Sequence, residues 1–126
     1  MNKTISTPNA PAAIGPYVQA VQAGNTVYVS GQLPIVPETG ELHAGSIGEQ
    51  TCQSMRNIEA ILAAAGYTLA NVVKTTIFLK DLADFAEVNA AYATFFPENP
   101  PARACVQVAK LPKDGRVEIE AIAVKG

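Results

Sequence analysis

Pro101–Glu120 reads Pro-Ala-Arg-Ala-Cys-Val-Gln-Val-Ala-Lys-Leu-Pro-Lys-Asp-Gly-Arg-Val-Glu-Ile-Glu. Strand side chains alternate between faces, so Arg103, Cys105 and Gln107 share one face while Ala104, Val106 and Val108 share the other. Beyond Lys-Asp-Gly, Val117, Ile119, Ala121 and Ala123 alternate with Arg116, Glu118 and Glu120. If Lys110–Gly115 is a hairpin loop, an antiparallel register sets Arg103 and Cys105 beside Glu118 and Glu120. A permanent cation, a thiol and a carboxylate then gather in one place.

Such a group has a definite chemistry. An arginine fork matches a carboxylate with two parallel charge-assisted hydrogen bonds, so Arg103 suits a small acid ligand. A glutamate partly removed from water exchanges protons with an attacking water. The two roles together suffice for hydrolysis without a metal. The same spacing also describes an ordinary surface cross-strand pair, worth roughly 0.2–1 kcal/mol. Cys105 reads equally well as a small half-buried hydrophobe. Glu118 and Glu120 have the same strand parity, and spacing does not separate them.

Working outward, Ser46–Ala65 has the period of a helix, with Cys52, Met55, Ile58, Leu62 and Ala65 at three- and four-residue steps. Ser46 caps its start and Gly66 its end. Val72–Leu79 is a strand dense in β-branched residues. Asp81 or Asp84 caps a second helix carrying Leu82, Phe85, Val88, Tyr92 and Phe96 on one side, stopped by Pro97. Asn89 puts an amide on the same side as two aromatics. Buried without partners it would cost about 1–3 kcal/mol, so it must bond to something.

Nearer the start, Pro8–Pro16 holds three prolines and a glycine and predicts an extended, turning lead-in that delivers Tyr17 beside a strand. Val18–Gln22 and Thr26–Ser30 flank Ala-Gly-Asn as a hairpin. Gly31, in Ser30-Gly31-Gln32, permits close approach of a ligand to the main chain, though turn geometry alone also explains it. Pro37–Gly40 is a further turn. The order strand pair, helix, strand, helix, strand pair predicts an α+β fold, a mixed sheet with two helices on one face. Apolar residues on both alternating faces of the strands suggest that part of the sheet meets another subunit.

The 126 residues suit a single domain, 1–126, with its own core. Nearly half are apolar and the net charge is −2, so nothing favours a nucleic-acid partner. No run approaches a membrane span, Met1–Ser6 lacks a signal-peptide core, and a cytoplasmic protein with no membrane partner is expected. Cys52 and Cys105 lie far apart and the only histidine, His43, sits in a Gly-rich loop, so reduced thiols and no metal are expected.

The run Pro101–Glu120, with Ile14-Gly15-Pro16-Tyr17 and Val29-Ser30-Gly31-Gln32, closely resembles the RidA (YjgF) family of enamine/imine deaminases. The likeness runs from Asn9-Ala10-Pro11 to the closing Glu118-Ile-Glu-Ala-Ile-Ala-Val. It implies a chorismate-mutase-like fold, a homotrimer with sites at the subunit clefts, no cofactor, and hydrolysis of 2-imino acids such as 2-iminobutanoate and 2-iminopropanoate to 2-oxo acids. By that resemblance Arg103 holds the substrate carboxylate and Glu118 positions and deprotonates water. Tyr17, Ser30, Gly31, Asn89 and Cys105 border the substrate. Phe95–Pro101 is shorter than in many relatives and lacks their aromatic before Pro-Ala-Arg, so the pocket edge is expected to differ. The rival reading is a module that binds a 2-oxo acid without turnover.

Overall fold

The computed structural model describes residues 1–126. Eight strands and two α-helices follow in the order β1 (Lys3–Ile5), β2 (Ala20–Ala23), β3 (Thr26–Gln32), β4 (Ile35–Val36), β5 (Glu41–Leu42), α1 (Ile47–Ala64), β6 (Val72–Leu79), α2 (Phe85–Ala93), β7 (Ala102–Gln107) and β8 (Val117–Val124). Six strands form one mixed sheet in the order β1-β2-β3-β8-β6-β7, and β4 and β5 form a separate two-stranded ribbon. The α+β class and the helices expected from the sequence are present. The short β1 strand, paired antiparallel with β2, was not expected.

Local chemistry accounts for the helix ends. At α1 the Ser46 hydroxyl accepts from the Glu49 N–H and the Glu49 carboxylate accepts from the Ser46 N–H, a reciprocal capping box. At its other end Gly66 takes φ +80°. The Tyr67 N–H then bonds to the Leu62 carbonyl and the Gly66 N–H to that of Ala63, satisfying two carbonyls that the helix leaves free. The buried stripe of α1 runs through Ile47, Thr51, Met55, Ile58, Ile61 and Leu62, leaving Cys52 at its margin rather than in it. Asp81 caps a single 3-10 turn, Leu82–Asp84, that leads into α2. Val88 and Tyr92 are buried on α2, whereas Leu82 and Phe85, expected on the same apolar side, are exposed.

The core lies between α1 and one face of the sheet. Met55, Ile58, Ile61 and Leu62 meet Val27, Ile77, Leu79 and Ile119 there, all essentially inaccessible to solvent. Each such side chain contributes about 1.5–3 kcal/mol relative to an exposed one.

The expected hairpin between β7 and β8 does not exist. β7 pairs parallel with β6, and β8 runs antiparallel between β6 and β3. The chain leaves β7 at the sheet edge, passes the end of β6 through Lys110–Gly115, and re-enters on the far side of β6. In that crossing Lys113 and Asp114 have left-handed φ values of +58° and +54°, and Lys80 Nζ holds Asp114 at 3.0 Å. Val117–Val124 decides the placement. Its Val117, Ile119, Ala121 and Ala123 face is completely buried, and a central position beneath α1 covers that face while pairing both backbone edges.

The other face of the sheet carries no helix. Tyr28, Val106 and Val124 are exposed there. Apolar residues on both faces were anticipated from the sequence, and this is the uncovered one.

Candidate active site

Arg103 and Glu118 project from opposite faces. Arg103 is in register with Thr75 on β6, whose buried side chain faces the helices. Glu118 is in register with Phe78, three residues further along β6, and alternates with the buried Val117 and Ile119. The expected side-by-side placement of Arg103 and Glu118 within one chain is therefore overturned, because β6 separates their strands and the parities are opposite. Each residue instead belongs to its own half-site.

The Glu118 half-site is a cavity of about 210 Å³ that Tyr17, Gly31, Pro112, Lys113 and Glu118 help to line. Its geometry turns on Gly31. The β3–β8 register shifts between Val29 and Gln32, so Ser30 and Gly31 bulge out of the ladder beside Glu118. A Cβ built on Gly31 would lie 2.9 Å from Glu118 Cδ, closer than side chains approach one another. Glycine is thus required for the carboxyl group to lie against the β3 backbone. The Glu118 carboxyl makes no hydrogen bond or ion pair within the chain. Burial pushes its carboxyl above the ordinary range and the neighbouring Glu120 adds to the rise. Glu120 itself is exposed and does not line the cavity, which separates two residues that strand parity could not.

Tyr17 is half-exposed at the rim, its hydroxyl oxygen accepting from the Ile14 N–H at 3.4 Å. The Ser30 hydroxyl is committed elsewhere: it donates to the Val18 carbonyl at 2.6 Å, and Ser30 does not line the cavity. Its position fixes the strand that carries Gly31.

Two amides missed by sequence reading build this half-site. Gln19 is buried, and its Nε2 donates to the carbonyls of Thr7, Ala10 and Pro11 while its Oε1 accepts from the Thr7 N–H at 2.7 Å. That one side chain ties down the proline-rich lead-in, which has no ladder of its own. Asn57, buried on α1, donates to the carbonyls of Leu33 (3.3 Å) and Ile35 (2.9 Å) and fixes the chain after β3. Asn57 was detectable as an amide inside an apolar helical stripe. Nothing in the sequence marks Gln19.

The Arg103 half-site lies against α2, in an open recess that Asn89, Tyr92, Phe96, Pro100 and Pro101 help to line. Arg103 Nη1 donates to Asn89 Oδ1 at 2.7 Å, which answers what the Asn89 amide bonds to. The guanidinium lies over the rings of Tyr92 and Phe85, at 5.1 and 5.6 Å to their centres. No carboxylate of the chain pairs with it. Cys105, two residues on, packs against the core. Burial pushes its thiol pKa up, with Arg103 opposing, so the sulfur remains a thiol rather than an activated thiolate. No group of three or more His, Cys, Asp or Glu side chains is arranged to hold a metal ion, and no helix is long and apolar enough to cross a membrane.

Comparison with known proteins places this geometry in a family. Residues 7–125 match the family model described as endoribonuclease L-PSP. A curated 2-iminobutanoate/2-iminopropanoate deaminase of Escherichia coli K12 is 57% identical, with 99% of each chain covered. A Thermotoga maritima crystal structure, described as an endoribonuclease, superposes with a TM-score of 0.97 at 50% identity, covering 100% of this chain and 99% of the other. Escherichia coli TdcF, solved with bound serine, superposes with a TM-score of 0.94 at 48% identity, covering 98% and 99%. The chain belongs to the endoribonuclease L-PSP family, which is the RidA family whose motifs its sequence carries.

Proposed function

We propose that this protein is an enamine/imine deaminase that hydrolyses 2-iminobutanoate and 2-iminopropanoate to 2-oxo acids and ammonia. It acts in the cytoplasm as a homotrimer of single-domain chains, with sites between copies and no cofactor. The observation that carries the reading is the division of the site: a guanidinium with no carboxylate to pair with on one face of the sheet, and a carboxyl with no hydrogen-bond partner in a cavity on the other. A second copy seated on the uncovered sheet face supplies the missing half. The exposed Tyr28, Val106 and Val124 give that face apolar surface to bury. The full-length likeness to the Escherichia coli deaminase supports the activity, and the serine bound by TdcF supports a ligand of amino-acid size.

In this mechanism Arg103 holds the substrate carboxylate and fixes the C=N carbon within reach of water. Glu118 takes a proton from that water as its oxygen adds to the carbon and hands it to the imine nitrogen, which becomes the amine of a carbinolamine. Glu118 then takes the carbinolamine hydroxyl proton and passes it to the amine, so that the C–N bond breaks and ammonia leaves as the oxygen becomes the ketone. A raised carboxyl pKa suits a group that both accepts and returns a proton. Tyr17 closes the rim and the Gly31 backbone borders the reacting atoms. Ser30 and Asn89 brace the two halves, and Cys105 lines the pocket as a neutral thiol.

The test generates 2-iminobutanoate in place with a threonine dehydratase and follows 2-oxobutanoate formation. The wild-type protein is expected to accelerate it, and Glu118→Gln to lose roughly 10²–10⁴-fold of that acceleration. Arg103→Ala is expected to lose most of it as well. Full activity in either variant defeats the assigned roles. Tight titration by 2-oxobutanoate with no rate effect favours the binding module instead.

A further inference from the structure

An arginine side chain has several freely rotating bonds, and its fork becomes selective only when the guanidinium plane is set before the ligand arrives. In Arg103 one corner of that plane is tied, since Nη1 donates to Asn89 Oδ1 at 2.7 Å, and the flat face is backed by the Tyr92 and Phe85 rings. Nε and Nη2 have no acceptor in the chain. That free edge is the one that offers two parallel N–H groups to a carboxylate.

The two rings are not equivalent. Phe85 is exposed and its side chain has no polar atom to tie it, whereas Tyr92 is buried. The Tyr92 hydroxyl shares a 2.7 Å hydrogen bond with Oγ1 of Thr75, which is itself buried. Thr75 is also the β6 residue in register with Arg103. The bond therefore ties α2 to the sheet at the level of the arginine and takes from the Tyr92 ring the freedom to slide beneath the guanidinium. We propose that Tyr92, locked by Thr75, is a positioning residue that sets the Arg103 guanidinium plane so that its free edge meets the carboxylate of a 2-imino or 2-oxo acid. The inference rests on Arg103 being the carboxylate holder, and it adds two residues to which the motifs assign no part in the chemistry.

The experiment titrates 2-oxobutanoate calorimetrically into the wild-type protein, Tyr92→Phe, Thr75→Val and Tyr92→Leu. KM and kcat for 2-iminobutanoate are measured in the same proteins. Removing either hydroxyl is expected to weaken 2-oxobutanoate and raise KM by about three- to tenfold, the range of a partly lost cation–π platform. The value of kcat should stay within about twofold. In an Arg103→Ala background Tyr92→Phe is expected to add no further loss in kcat/KM. Unchanged Kd and KM in both hydroxyl-deleted variants overturn the proposal, as does a full additional loss once Arg103 is gone. These two variants decide the matter even if Tyr92→Leu fails to fold. Weakened 2-oxobutanoate binding without any wild-type acceleration removes the deaminase reading and keeps the positioning role. Acceleration with a KM indifferent to Tyr92 does the reverse.

Discussion

Arg103 and Glu118 stand on opposite faces of one sheet, on strands that flank β6 on either side. A strand cannot bend its side chains through its own sheet, so no rotamer change brings the two groups together within a chain. The distance between them is a matter of assembly.

That relationship predicts complementation. In the proposed trimer, Arg103→Ala and Glu118→Gln are each expected to be nearly inactive, because every site lacks one group. Unfolding and refolding the two variants together in equal amounts makes mixed trimers. In these, roughly one interface in four joins an intact Arg103 to an intact Glu118 by random assortment. Activity of the co-refolded mixture should reach about a quarter of wild type. A mixture as inactive as its parents places both groups in one chain's site and rules out sharing.

A methyl group at position 31 tests the seat of the carboxyl. The Gly31 backbone is not in the left-handed region, so alanine fits its dihedrals, and the nearest atoms its methyl would meet are those of the Glu118 side chain. Gly31→Ala is expected to fold with near wild-type thermal stability yet lose roughly 10–100-fold in kcat, as a displaced general base does. Intact kcat in a well-folded Gly31→Ala protein denies Glu118 its need for that close approach.

Stability should depend on pH through Glu118. Its carboxyl is raised in the fold, by burial first and by Glu120 second, so the folded state holds its proton more tightly than the unfolded chain. Stability from this group is complete below the unfolded-state pKa and is lost as pH rises through the folded one. Glu118→Gln removes a group that opposes folding at neutral pH. It is expected to melt higher than wild type at pH 7, with the gain fading below the ordinary carboxylate range. Thermal melts across that range check the sign, and a variant less stable than wild type at pH 7 contradicts it.

Local order was written in the sequence because local chemistry sets it. The Ser46 and Gly66 caps of α1, the β-branched run of β6 and the strand alternation around Arg103 and Glu118 follow from neighbours within a few residues, and each stands where the pattern put it. The Gly24 turn between β2 and β3 is of the same kind, with φ +60° at the first of two loop residues. The motif also singled out Arg103, Glu118, Tyr17 and Gly31, since the residue types carry their chemistry wherever they are placed.

Only the tertiary structure decided who faces whom. Closeness in sequence favoured a β7–β8 hairpin, but burying the small apolar face of β8 under α1 required a central strand, and that long-range demand put β6 between the two charged groups. The clasp of Gln19 on the lead-in and the Tyr92–Thr75 bond behind Arg103 likewise join residues 12 and 17 positions apart, where no periodicity reaches. Patterns of a few residues fix which side of an element is apolar, whereas the order of strands is a choice among packings of the whole chain.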